Sequence, residues 1–506
     1  MDFDKRERLA SRRVIISEAL MVIAVIAIVI ALAFVVSGYW VNADFTVERQ
    51  GMLQINSIPT GASLIVDGET SWLSQTNTSK ILKSGEHTIS LTKEGYDTWS
   101  RTINVRDGLL YRIRYPRLFL KERTPASVLD TTGTTFASFS PDRQTLLLAD
   151  NTTKWKLVKV DNEELKPTAI DIAPYFPSVN LAEGATDGTF TGEIKSANWD
   201  SNNEHVLFEI NNGPDTDWVL LDTKNPASSL ALSRISNLRF SQIDIFDDSS
   251  NTLIALSDGN LYTIDTSRHK ISEPFATQVE YFSHYNNQII YSALDDNIST
   301  TLNSDATVTS GESTSTIADT TAMPEGNPSA QPEHRYVVVL KTPNDEKSRV
   351  LQYTATPVRP AIFQFYDERY LATLADTVLT LYNADHLSAD SLKMDSTYSL
   401  SFTPDSLKIG DSGEYISLST DNHIAALDME AENVTEWNTD GPNYGWLTSG
   451  MIYSVSNSNL IVYDFDGLNR RSLSSRVSPD FPITITDDKW LYYFNDSHLI
   501  REEVVH

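Results

Sequence analysis

The chain has 506 residues, no cysteine and a net charge of −28. Its length suits two or three domains with ordinary apolar cores, and the missing cysteine excludes disulfides, thiolate catalysis and zinc–cysteine sites. The acidity is uneven, with 11 Lys/Arg against 8 Asp/Glu between Phe45 and Pro125 but 24 against 55 from Ala126 to His506, so no nucleic-acid partner is expected for the large region.

The first element is Ala19 to Val36, eighteen apolar residues without charge or proline. As a helix it reaches about 27 Å, close to the hydrocarbon thickness of a bilayer. Lys5, Arg6, Arg8, Arg12 and Arg13 precede it, and no basic residue follows until Arg49. The positive-inside rule then predicts a cytoplasmic tail over 1–13, a signal-anchor helix over 14–38 and an extracytoplasmic remainder. Tyr39 and Trp40 stand where the far interface belongs, and Glu18 falls at headgroup level beside Arg12 and Arg13. A cleaved signal peptide is the rival reading, since Ala31-Leu32-Ala33 has the small-x-small pattern, although inside the apolar run. A large exported chain without disulfides fits a bacterial-type envelope better than a eukaryotic secretory route.

Residues 45–123 then show short alternating strands punctuated by glycine: Met52 to Asn56, Ala62 to Val66, His87 to Leu91, Trp99 to Val105 and Leu110 to Tyr115. Asp67-Gly68 is a strong hairpin signal. These residues resemble the PEGA domain: Gly51-x-Leu53-x-Ile55-x-Ser57-x-Pro59-x-Gly61-Ala62, Ile65-Val66-Asp67-Gly68, and Leu82-x-x-Gly85-x-His87-x-Ile89-x-Leu91-x-Lys93-x-Gly95-Tyr96. Thr60 stands where the name-giving motif has Glu. The resemblance implies a small β-sandwich of bacterial surface and envelope proteins, with no catalytic residue to carry over.

Arg112, Arg114, Arg117, Lys121 and Arg123 follow, opposed only by Glu122. Alternation through Tyr111 to Tyr115 places Arg112 and Arg114 on one strand face. The five are candidate electrostatic contacts to anionic lipid headgroups or to the acidic region, with a solvated strand face as the alternative.

Over 124–506 a unit of apolar strand, polar turn and apolar strand recurs. Its starts fall at Phe136, Trp199, Phe240, Phe282, Phe365, Phe402, Trp446 and Ile483, with five of the seven intervals between 37 and 44 residues. That period predicts a β-propeller of eight blades, or seven if two units share a blade. Residues 297–331, with fourteen Ser/Thr, no aromatic and no Lys/Arg, read as a disordered loop. The last unit offers about three strands, so the segment between Ala126 and Thr135 is expected to supply the fourth. The repeats resemble TolB-type propeller blades, most plainly at Ser140-Pro141-Asp142 and Val462-Tyr463-Asp464-x-Asp466-Gly467, which implies a fold used for binding and no catalytic group.

No hydrolase elbow, phosphate loop or metal-binding helix motif occurs. The carboxylate pairs Asp247-Asp248, Asp295-Asp296 and Asp487-Asp488 read as turns. Asp464-x-Asp466-Gly467 is similar to part of a calcium loop but lacks the other ligands. His205, His269 and His284 lie in different units, and Trp155, Trp199, Trp218, Trp437, Trp446 and Trp490 recur at unit positions, as blade packing requires. No catalytic residue, cofactor or metal is expected. The reading is an all-β, single-pass membrane protein, a non-catalytic binding or scaffolding module at the cell envelope with an envelope protein or glycan as partner. The alternative is a propeller enzyme acting on cell-surface glycans, which carboxylates converging on a central channel would favour. A receptor is disfavoured, because a tail of thirteen residues holds no output domain.

Overall fold

The computed structural model describes residues 20–29, 39–41, 47–160, 165–174, 190–212, 215–246, 250–295, 336–341, 348–384, 394–410 and 412–506. The chain divides into two units: Met1–Arg123 with Val504–His506, and Thr124–Glu503. The last three residues thus belong with the small unit rather than with the repeats.

Residues 20–29 are helical and exposed on every side. Among the described residues no helix is long and apolar enough to cross a membrane, and the rest of the span expected over 14–38 lies outside them. Tyr39 and Trp40, expected at an interface, belong to a strand, Tyr39–Val41, paired antiparallel with Val47–Ile55.

Among the described residues the small unit holds two four-stranded sheets. In one, Val47–Ile55 is flanked by Tyr39–Val41 and Thr78–Lys83, and also pairs in parallel with Leu110–Ile113. In the other the order is Glu69–Gln75, Ser63–Val66, Gly85–Thr92, Trp99–Val105. Leu53, Ile55, Leu64, Ile89, Leu91, Trp99 and Phe119 are wholly buried. Gly51 is required where it stands: a Cβ there would lie 2.5 Å from Val105 Cγ1 and 2.7 Å from the Arg106 carbonyl oxygen. The Asp67-Gly68 hairpin forms as expected, with φ of 53° and 80° joining Val66 to Glu69, the positive values a two-residue turn needs. Glu69–Gln75 and Thr78–Lys83 were not legible as strands. Neither alternates cleanly, and the corner between them is Asn77 at φ 67° rather than glycine. The strand expected through Tyr115 ends at Ile113.

The large unit is propeller-like. Among the described residues it contains eight four-stranded antiparallel sheets, whose first strands are Thr134–Phe139, Glu193–Trp199, Gln242–Phe246, Val279–Tyr285, Arg359–Phe365, Ser406–Ile409, Asn443–Thr448 and Thr484–Thr486. Seven sheets use four consecutive strands. The eighth has Thr484–Thr486, Trp490–Asn495 and His498–Glu503, and takes Pro125–Asp130 from the front of the unit as its fourth.

Each sheet packs on the next. Trp155 of the first meets Phe208 of the second, Leu207 of the second meets Ile243 and Leu253 of the third, and Ile254 of the third meets Ile289 of the fourth. Val338 then packs with Ile362 and Leu371, and Ala372 with Ile416 and Leu418. Tyr415 of the sixth stacks on Phe465 of the seventh at 4.3 Å, and Ser474 of the seventh donates to Glu502 of the eighth at 2.5 Å. Tyr492, Phe494 and Leu499 of the eighth return to Leu146, Leu148 and Val158 of the first. Because both faces are covered, second strands such as Thr145–Asp150 and Tyr415–Thr420 are buried at nearly every position. This explains runs like Leu146-Leu147-Leu148, which do not alternate.

Residues 297–331 lie outside the described residues. Their flanks are settled: Gln288–Leu294 and Tyr336–Lys341 are adjacent strands, with Leu294 opposite Tyr336, so the insertion leaves and rejoins one sheet at one point.

Candidate functional site on the first strands

First strands of successive sheets lie side by side: Glu193–Trp199 by Gln242–Phe246, Val279–Tyr285 by Arg359–Phe365, and Asn443–Thr448 by Thr484–Thr486. Their residues line a cavity of about 610 Å³, including Ser138 and Phe139 of the first sheet, Asn198 and Trp199 of the second, Asp244 of the third and His284 of the fourth. A smaller one of about 310 Å³ shares Ser138 and Phe139 and adds Arg143 and Pro482 to Thr484.

Trp199 donates its indole N–H to the Ser138 hydroxyl at 2.9 Å, which ties the ring to the neighbouring sheet. Asp244 Oδ2 accepts from the Gln242 amide at 2.8 Å. Burial raises the Asp244 carboxyl above its ordinary range, opposed by the charge of His284 and by that amide. Asp200, also in the wall, is committed elsewhere. It accepts backbone N–H bonds from Glu204 and His205 through Oδ1, and His205 Nδ1 lies 2.8 Å from its Oδ2.

Among the described residues the cavity wall holds two carboxylates, Asp200 and Asp244. In a unit so rich in acid, the eight first strands hold Glu193, Asp244 and Glu280 against Lys195, Arg359 and Lys408, with His284 beside them. Lys195 and Glu193 pair at 2.7 Å, and Arg359 lies 5.2 Å from the Tyr281 ring. The acidity is carried by turns and outer strands.

The Trp residues divide as packing requires. Trp155 is buried against Phe190 and Phe208, Trp218 donates to the Phe240 carbonyl at 3.2 Å and Trp437 to that of Phe465 at 3.2 Å. Trp446 donates to Ser417 Oγ, Trp490 carries Lys489 and Arg501 over its ring, and Trp199 lines the cavity. Asp464 and Asp466 form a turn, with Gly467 N–H on the Asp464 carbonyl and Leu468 N–H on Asp466 Oδ1. Asp487 and Asp488 are hairpin-turn residues at φ 51° and 56°, whereas Asp247-Asp248 and Asp296 lie outside the described residues. Among the described residues no three His, Asp or Glu side chains are grouped to hold a metal ion. Asp244 was missed in the sequence, and His284 was noted only as a histidine of a separate unit. The available signal for Asp244 was a lone ionisable residue within the first strand Gln242–Phe246.

The five cations of the small unit do not share one face. Arg112 is half-buried opposite Gln54, and Arg114 is exposed beyond the strand end. Arg117 is buried, its backbone bridged to Ile58. Lys121 is exposed, and Arg123 directs its guanidinium onto the Leu120 carbonyl.

The PEGA domain model matches residues 50–117. No curated protein sequence matches the chain. Among solved structures it is similar to an oligogalacturonate lyase in complex with manganese, at TM-score 0.36 and 10% identity over 62% of this chain and 97% of that one. It is also similar to Hsv2 of Kluyveromyces lactis, at TM-score 0.40 and 8% identity over 67% and 98%.

Proposed function

We propose that the chain is a membrane-anchored envelope protein, with a PEGA-type β-sandwich carrying a closed eight-bladed propeller that serves as a non-catalytic binding module outside the cytoplasm. The observation that carries the binding role is the first-strand cavity, walled by the aromatic rings of Phe139 and Trp199, the hydroxyls of Ser138 and Ser201 and the amide of Asn198, with Asp244 and His284 beside them. Such walls suit orientation of a ligand. Support for the anchor is the helix at 20–29, where Leu20, Met21, Val22, Ile23, Val25, Ile26, Ile28 and Val29 are each more than half exposed. A helix apolar all round needs an apolar surround, and the basic residues before it set its direction.

One observation favours the enzyme alternative: Asp244, a carboxyl raised by burial, faces a cavity beside a histidine. Glycosidic cleavage requires a second carboxyl free to act, and Asp200 is held by His205 and two backbone N–H groups. The binding reading is therefore preferred. It is tested by affinity capture of the full chain from intact envelopes, scoring protein and glycan partners separately. Turnover of envelope glycans that is lost in Asp244→Asn would replace it with the enzyme reading. Release of the chain from membranes by alkaline carbonate would remove the anchor.

A further inference from the structure

The sheet that opens with Tyr39–Val41 carries an apolar row on its outward face. Along Val47–Ile55 burial alternates, with Gly51, Leu53 and Ile55 inward and Met52 outward. Met52 pairs with Ile81 on one side and with Leu110 on the other, and paired residues share a face. Met52, Ile81 and Leu110 are 41%, 45% and 39% exposed, and Leu109 beside them is 49% exposed. Outside the helix these four are nearly half of the exposed large apolar residues among those described. Cations flank the row. Gln50 pairs with Lys83 one step along the face, and Gln54 pairs with Arg112 one step the other way. The face thus reads as a three-strand apolar stripe between a lysine and an arginine.

Its place in the chain says what it meets. The apolar run ends at Val36, three residues before Tyr39. Three residues can span at most about 10 Å, so the sheet's first strand begins within headgroup distance of the end of the apolar run. We propose that the outward face bearing Met52, Ile81 and Leu110 rests on an anionic bilayer surface, its apolar side chains in the headgroup layer and Lys83 and Arg112 on lipid phosphates. Apolar side chains at that depth are stabilised by leaving water, and cations are attracted to anionic lipid headgroups within a Debye length of the surface. The basic run of the sequence thereby contributes Arg112 to a lipid contact, while Arg117 is spent inside the fold.

This rests on the anchored reading above, and the two fail separately: carbonate extraction tests the anchor, whereas the following test reads only the face. The chain has no cysteine, so single labels are clean. Full-length Ile81→Cys carrying an environment-sensitive fluorophore, in nanodiscs of phosphatidylcholine with 30% phosphatidylglycerol, should emit as in an apolar medium and be quenched by headgroup-level doxyl lipid. A Ser100→Cys label, exposed on the other sheet, should remain in water. Lys83→Glu with Arg112→Glu should cut the quenching at least twofold, and pure phosphatidylcholine should do the same. A water-like, unquenched Ile81 label in anionic nanodiscs would overturn the proposal. So would label–label energy transfer scaling with chain number per disc, which would assign the face to a second copy.

Discussion

His87 Nδ1 lies 2.6 Å from Asp67 Oδ2 while His87 Nε2 lies 2.7 Å from the Lys83 carbonyl oxygen. Both acceptors lack a proton to give, so both ring nitrogens must donate and the geometry selects the imidazolium. Asp67 is the first residue of the Asp67-Gly68 turn, and its Oδ1 also accepts from the Thr88 N–H at 2.8 Å. One carboxylate thus pins a positive-φ turn to the neighbouring strand.

The pair predicts a pH window. Burial opposes the charged ring, yet its bonds to Asp67 and to the Lys83 carbonyl outweigh that, and His87 titrates above its ordinary 6.5. The bond from His87, then the Thr88 N–H, holds Asp67 below 3.8. Stabilisation from a raised histidine is complete below the unfolded value and fades as pH rises through the folded one. That from a depressed carboxyl is present above 3.8 and fades as pH falls through the folded value. The contribution is therefore largest between about pH 4 and 6.5, and solvent exposure of Asp67 limits it to about 0.5–1 kcal/mol. NMR titration of His87 in the full chain should give a pKa above 6.5 that falls in Asp67→Asn. An unchanged value would refute the coupling.

Gly467 offers a sharper test of packing between sheets. Its φ is +80°, and a Cβ there would sit 2.6 Å from Cγ and Cδ2 of Trp437, whose indole N–H is already held by Phe465. Left-handed backbone and overpacking add, so Gly467→Ala should cost about 2–4 kcal/mol in chemical denaturation. Gly133 has φ +83° with nothing within 4 Å; its alanine variant should cost only about 1 kcal/mol. Equal costs would show that the Trp437 ring yields.

Replacing residues 297–331 with a short Gly/Ser linker should leave the melting temperature within about 2 °C of the parent. Leu294 and Tyr336 are partners across one ladder, so the connection needs only a hairpin's length. A lost or broadened transition would show that the insertion packs on the unit.

The sequence carried the repeats further than the cavity. Phe136, Trp199, Phe282, Phe365 and Trp446 each fall in the first strand of a sheet, because these aromatics recur where neighbouring sheets meet. Asp67, Gly68 and His87 were visible as a motif, although which of them touch was not, since strands far apart in sequence bring them together. Likewise Asp244 and His284 are ordinary residues of separate strands until the first strands are set side by side. Arg117 misled for a related reason: its chemistry says surface, while the backbone bridge to Ile58 places it inside. Charge counts describe a region, and strand register decides which charges share a face.

The last prediction concerns closure of the large unit. Leu499 is wholly buried among Leu146, Leu148, Val158, Tyr492 and Phe494, and its strand partner is Leu129. Thr131 N–H also reaches the Ser497 carbonyl at 2.7 Å. The eighth sheet is thus completed by residues more than 350 positions earlier, and without them it would expose an unpaired edge. Leu499→Ala should cost about 2–5 kcal/mol. Deleting residues 490–506 should abolish the cooperative transition of the whole large unit, because each sheet leans on its neighbours. Deleting only Val504–His506 is the control. Those residues bond within the small unit, through the Val504 carbonyl to Leu120 N–H and His506 N–H to the Tyr96 hydroxyl, so the large unit's midpoint should not move. A chain lacking 490–506 that keeps that midpoint would show that the ring does not depend on joining its two ends.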